Sequence, residues 1–149
     1  MKINIISVGK LSNTNRVIAD YYHKMIKWKC KETELGYSKK ISDNQIKSYE
    51  AELINAQIDD SSYKIILDVN GKQLTSEDFS LVFKKQMIES KNIDIVIGGA
   101  FGLDKSVINK ADYLLSLSKM TLPHQFAKIM LLEQIYRAQT ILEGHPYHK

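Results

Sequence analysis

Ile93-Asp94-Ile95-Val96-Ile97-Gly98-Gly99-Ala100-Phe101-Gly102 is the stretch that decides how this chain is read. Its first five residues, dominated by β-branched side chains, form the run expected of a strand buried on both faces of a parallel sheet. Three of the chain's seven glycines follow within five residues. Glycines at a strand's carboxyl end let backbone approach a ligand closely. A second loop, Ser116-Leu117-Ser118-Lys119-Met120-Thr121-Leu122-Pro123-His124, comes next and opens the longest apolar helix of the sequence. Two such loops in the last third of a short α/β chain imply a small-molecule site.

Outward from this stretch, strands and helices alternate. Upstream, Lys2–Val8 reads as a strand ending at Gly9, and Asn13 or Thr14 caps a helix from about residue 15 to 28. Lys29–Leu35 alternates as an edge strand, and residues 36–40 form a polar loop. Ser42-Asp43-Asn44-Gln45 fits a capping box for a helix to about Ala56. A turn at 59–62 leads to a strand, Tyr63–Val69, closed by Asn70-Gly71. Thr75 or Ser76 then caps a helix through Met87, with Phe79, Leu81, Val82, Phe83 and Met87 on its buried side. Downstream, a short helix is expected over 105–110 and a strand over 113–117. Pro123 takes a favoured first-turn position of a helix reaching about Leu142, which Gly144 ends. The pattern predicts one α/β domain, residues 1–149, with a parallel-rich sheet covered by helices on both faces.

Composition narrows the function classes. A chain of 149 residues can bury a core without disulfides or metals, and its single cysteine, Cys30, fits a reducing, cytoplasmic setting. No apolar run is long enough to cross a bilayer, so no membrane partner is expected. The net charge of +4 permits a polyanionic partner without demanding one. Lys24, Lys27, Lys29 and Lys31 cluster around Trp28, which serves either a solvated face or phosphate contact.

The glycine turn lacks both the G-x-G-x-x-G spacing of dinucleotide folds and the phosphate-loop pattern. A nucleotide-dependent oxidoreductase is therefore the weaker rival. Gly98, Gly99 and Gly102 suit either a tight strand-to-helix turn or a nucleoside contact. Ser116, Ser118 and Thr121 suit either turn capping or a bound adenine edge or carboxylate. A Ser118–His124 hydrolase lacks the strained elbow such a nucleophile needs. The helix after Pro123 is apolar all round, which suits a buried helix with one side against a second subunit. On it, Glu133 and Arg137 stand one turn apart, as an i,i+4 salt bridge or as a charged pair kept at a site. A zinc site at His145 and His148 would have no convincing further ligands, so no metal is expected.

Taken in order, Leu67-Asp68-Val69-Asn70-Gly71-Lys72, Ile97 to Gly102, Leu115 to His124, Glu133-Gln134-Ile135-Tyr136-Arg137-Ala138 and the closing Pro146-Tyr147-His148-Lys149 resemble the ribosomal large subunit methyltransferase H family. The likeness runs end to end, is specific in the last third and is weak from Cys30 to Ser62. It implies the SPOUT class: an α/β domain whose carboxyl-terminal part threads a trefoil knot, working as a homodimer. It implies methylation of N3 of a pseudouridine in 23S ribosomal RNA, with the assembled ribosome as partner. On matching motifs, S-adenosylmethionine would meet Leu67, Gly98, Gly102 and the stretch Leu117, Ser118, Lys119, Met120, Thr121 and Leu122. His124, Glu133 and Arg137 correspond to family positions assigned here to RNA or interface contact.

The tail is expected to fold over that pocket and reach the base. His148 is the first candidate for proton removal, Lys149 for stabilising the developing anion and Tyr147 for stacking or hydrogen bonding. A non-catalytic, ribosome-associated RNA-binding module on the same fold is the alternative.

Overall fold

Apolar side chains alternate along each central strand, and that alternation sorts the helices onto two faces. The computed structural model describes residues 1–36 and 42–149. Five parallel strands, β1 (Lys2–Val8), β2 (Lys29–Leu35), β3 (Tyr63–Lys72), β4 (Ile93–Ile97) and β5 (Tyr113–Leu115), lie in the order β2-β1-β4-β3-β5. Ile3, Ile5, Ile65, Ile93, Ile95 and Ile97 form one core with side chains from α1 (Asn13–Met25), α3 (Ser76–Ile88) and α5 (His124–Leu142). Ile6, Val8, Ile66 and Val96 form a second core with α2 (Asp43–Asn55) and the short α4 (Lys105–Ile108). β4 is buried along its whole length, as the opening stretch predicts.

The larger core is anchored by Phe83, which is fully buried, meets Phe79 edge-on at 4.9 Å and lies 5.1 Å from the Trp28 ring. Burying such a ring contributes ~1.5–3 kcal/mol. Trp28 thus packs against the core, while Lys27, Lys29 and Lys31 beside it stay exposed.

The bounds of β1, β2 and β4 match the sequence expectation, and four details differ. α1 starts at Asn13 because Ser12, not Asn13 or Thr14, is the cap: its hydroxyl accepts from the Asn15 amide. The helix ends at Met25. Ser42 does precede α2, but its hydroxyl donates to the Gln45 side chain instead of capping a backbone amide. Leu81 and Met87 are exposed, so the buried side of α3 is narrower than its apolar content suggests. The predicted polar loop at 36–40 lies outside the described residues beyond Gly36.

The fourth difference shapes the site. β3 runs through Asn70-Gly71 to Lys72 instead of closing there, and Lys72 pairs with Leu115. A Cβ on Gly71 would lie 2.6 Å from the Leu115 carbonyl carbon, so only glycine lets the two backbones pass this closely. The Ser116 amide then donates to the Lys72 carbonyl at 2.9 Å. This seam ends β5 at Leu115, short of the predicted 117, and turns the following loop toward the ends of β3 and β4.

Candidate functional site

The carboxyl ends of β3, β4 and β5 open onto a cavity of about 590 Å³, within the range of cofactor sites. Its walls come from the middle of β3 (Leu67 to Val69), the glycine turn after β4, the loop after β5, and the first turn of α5. Of the residues expected to hold a cofactor, Leu67, Gly98, Gly102, Leu117, Ser118, Met120, Thr121 and Leu122 line it, and Lys119 does not. His124, expected at an RNA or interface contact, lines it as well.

Local hydrogen bonds set the two loops. Gly102 donates from its amide to the Gly99 carbonyl at 3.1 Å, at a φ of +74° that a side chain rarely tolerates. Buried Ser116 donates to the Ser118 carbonyl at 2.9 Å, and the Ser118 hydroxyl accepts from the Met120 amide at 3.0 Å. The loop hydroxyls therefore shape the turn, and the backbone is what the loop presents to a ligand.

The lining also has a charge signature. Its ionisable side chains among the described residues are Asp68 and His124, with no lysine or arginine. The lining offers a pyrophosphate no side-chain cation, which adds to the missing glycine spacing against the dinucleotide reading. Leu67, Leu115, Leu117 and Ala127 in the lining give it the apolar surface that a flat heteroaromatic ring needs.

The tail takes a different place. Tyr147, His148 and Lys149 are not among the residues lining the cavity of their own chain. Tyr147 instead packs 4.7 Å from the Tyr136 ring, with the Arg137 guanidinium 4.8 Å over its face, and its hydroxyl donates to Glu133 at 3.1 Å. Burial, then the Glu133 carboxylate, push its phenol up to about 12, so it is a donor at neutral pH. Arg137 bonds Glu133 through Nε at 2.9 Å and reaches His148 Nδ1 at 3.2 Å. His148 Nε2 lies 2.9 Å from Glu77, in the first turn of α3.

The structure thus gathers Glu133, Arg137, Tyr147 and His148 into one cluster and adds Glu77. An acid in a helix's first turn reads as ordinary dipole compensation, so no local signal singles Glu77 out.

Comparison with known proteins agrees with this geometry. The family described as "Predicted SPOUT methyltransferase" matches residues 1–148. Proteins named ribosomal RNA large subunit methyltransferase H from Clostridium botulinum and Clostridium tetani are each 43% identical over 159 aligned positions, covering all of both chains. Among solved structures, a methylase family protein from Neisseria gonorrhoeae matches with a TM-score of 0.56 at 12% identity, covering 91% of this chain and 81% of its own. A methyltransferase from Legionella pneumophila, solved with its cofactor SAM, matches with a TM-score of 0.52 at 15% identity, covering 93% of this chain and 66% of its own. With a five-stranded parallel sheet, a cleft at the strand ends and a family match along essentially its whole length, the chain belongs to the SPOUT methyltransferases.

Proposed function

We propose that this methyltransferase transfers a methyl group from S-adenosylmethionine to N3 of a pseudouridine in 23S ribosomal RNA. The observation that carries the reading is the cavity at the ends of β3, β4 and β5: open, apolar-walled and free of phosphate-binding cations. The names of the relatives supply the ribosomal substrate class. S-adenosylmethionine brings a methyl group already activated on sulfur, so the chain's work is alignment and proton removal. Leu67, Leu115 and Leu117 would hold the adenine, with backbone of Gly98 and of Leu117–Leu122 meeting its polar edge.

The active form is a homodimer with each tail serving its partner's pocket. Val17, Ile18, Tyr21 and Met25 on α1 and Phe126 and Met130 on α5 are all exposed, forming apolar faces on two helices that pack together. On α5 this stripe starts beside the pocket, at His124 and Ala127, and continues to Glu133 and Arg137, which hold the tail. Ala127 and Arg137 are about 15 Å apart along the axis at 1.5 Å per residue. A two-fold interface that packs this stripe against its own copy brings the tail end of each subunit toward the pocket end of the other. There His148 would take the N3 proton, Lys149 would face the developing anion and Tyr147 would stack on the base. The trefoil threading belongs to the same proposal and rests on the family match.

The modest charge of the chain makes the assembled ribosome the fitting target, where a composite surface adds contacts. Mass mapping of 23S ribosomal RNA from cells lacking the chain tests the whole reading. One methyl should vanish from one pseudouridine and return on adding purified protein and S-adenosylmethionine. An unchanged methylation map would end the proposal, and calorimetry showing no cofactor binding would turn it toward a non-catalytic module.

A further inference from the structure

The geometry points to Glu77 as a positioning residue that fixes which nitrogen of His148 carries the proton. The inference rests on His148 being the group that accepts the substrate's proton. A guanidinium only donates, so Nδ1, 3.2 Å from Arg137 Nη1, accepts with its lone pair. An ionised carboxylate only accepts, so Nε2, 2.9 Å from Glu77 Oε1, bears the hydrogen. Glu77 is held below the usual carboxylate range, first by this hydrogen bond from His148. The ring is therefore gripped from two elements, α3 and α5, in the Nε2–H tautomer.

The tautomer has a chemical consequence. The basic lone pair stands on Nδ1, facing the donor Arg137. A pseudouridine imide that replaces Arg137 there presents its N3–H to Nδ1. The proton passes to Nδ1, the electron pair stays on N3 as the nucleophile, and the imidazolium keeps its Nε2–H on Glu77. Glu77 then balances the new positive charge, as the acid of a catalytic triad does for its histidine. Its side chain is 61% exposed, so water weakens the effect well below that of a buried acid.

The test uses the full chain with ¹⁵N-labelled histidine and steady-state methylation of undermethylated ribosomal particles. Long-range ¹H–¹⁵N correlation should show His148 with hydrogen on Nε2 in the parent protein and in Arg137→Met, where Glu77 alone grips the ring, and as a tautomer mixture when Glu77→Ala is added to Arg137→Met. Glu77→Ala should lower kcat about ten-fold while leaving KM for S-adenosylmethionine unchanged. Glu77→Gln still accepts from Nε2–H without a charge, so it should keep the tautomer and recover only part of kcat. A double-variant spectrum identical to that of Arg137→Met, or an Nδ1–H tautomer in the parent, overturns the role of Glu77 and leaves His148 standing as the base. A His148→Ala variant at full kcat removes the base itself, and the catalytic part of this proposal with it.

Discussion

Lys128 and Arg137 stand on the same helix, yet Lys128 is wholly buried and Arg137 is partly open to solvent. Lys128 reaches Glu32 at 3.1 Å and Glu34 at 2.7 Å on the inward face of β2, and Arg16 and His23 of α1 close on the same two carboxylates. Burial opposes ionisation of Glu32, but the His23 hydrogen bond and the Lys128 charge outweigh it and take its pKa to about 2. Around Arg137, the partners are Glu133, Tyr147 and His148 of the tail, with exposed Glu77 beyond. The first cluster ties α1, β2 and α5 together and cannot let go without stranding charge in the core. The second ties down a tail by contacts that water can replace. One is built to stay closed and the other to open.

The widest separation of the two clusters should come from removing the tail. Deleting Tyr147–Lys149 is expected to abolish methylation of ribosomal particles, at least about a thousand-fold if proton removal and base alignment both go. Calorimetric affinity for S-adenosylmethionine should hardly change, since these residues do not line the cavity of their own chain, and the melting temperature should fall only slightly, since the lost Tyr147 contacts lie at the surface. A truncated chain that methylates at the parent rate would break the comparison on its functional side.

Lys128→Met should do the reverse. It leaves Glu32 and Glu34 with Arg16 as their remaining shared cation, out at the less buried side of the cluster, and losing one partner of a buried ion group costs up to about 3–5 kcal/mol. Urea unfolding followed by circular dichroism measures it. Adding Glu32→Gln and Glu34→Gln to Lys128→Met should restore part of that loss, because the stranded charges go. Arg137→Met, by contrast, removes an i,i+4 pair that solvent partly reaches and should cost about 1 kcal/mol, with its main effect on methylation. Equal destabilisation by the two substitutions would show that both clusters are structural.

How much of this was legible follows from how local each signal is. Ile93–Ile97 and Lys2–Val8 declare themselves because β-branched runs of strand length need no partner to be recognised. The pocket was legible because glycines and a loop stand directly at strand ends. Gly71 was misread as a terminator, since what it admits is the backbone of Leu115, remote in sequence. The Lys128 cluster went unread, although a signal existed: a lone lysine on an all-round apolar helix, and Cys30, Glu32 and Glu34 in alternation on one face of β2. Burial of a lysine requires acids nearby, and that alternation supplied them. The tail's position was not legible because no pattern in 145–149 states which surface it meets.

Acid sharpens the contrast by the least amount. The folded pKa of Glu32 lies below its unfolded value of about 4.3. Its contribution is thus fully present above the unfolded value and is lost as pH falls toward 2. Stability should decline between about pH 5 and pH 2, by an amount of a few kcal/mol at most. His23→Gln keeps a donor near Glu32 but removes the imidazole. It should cost no more than ~1 kcal/mol at neutral pH and move the acid-unfolding midpoint upward by a few tenths of a pH unit. Glu77→Gln alters a carboxylate that solvent already reaches, so its acid-unfolding curve should overlay the parent's. If the two substitutions shifted the midpoint alike, the tail cluster would be bearing folding energy, and its freedom to release His148 to a substrate would have to be given up.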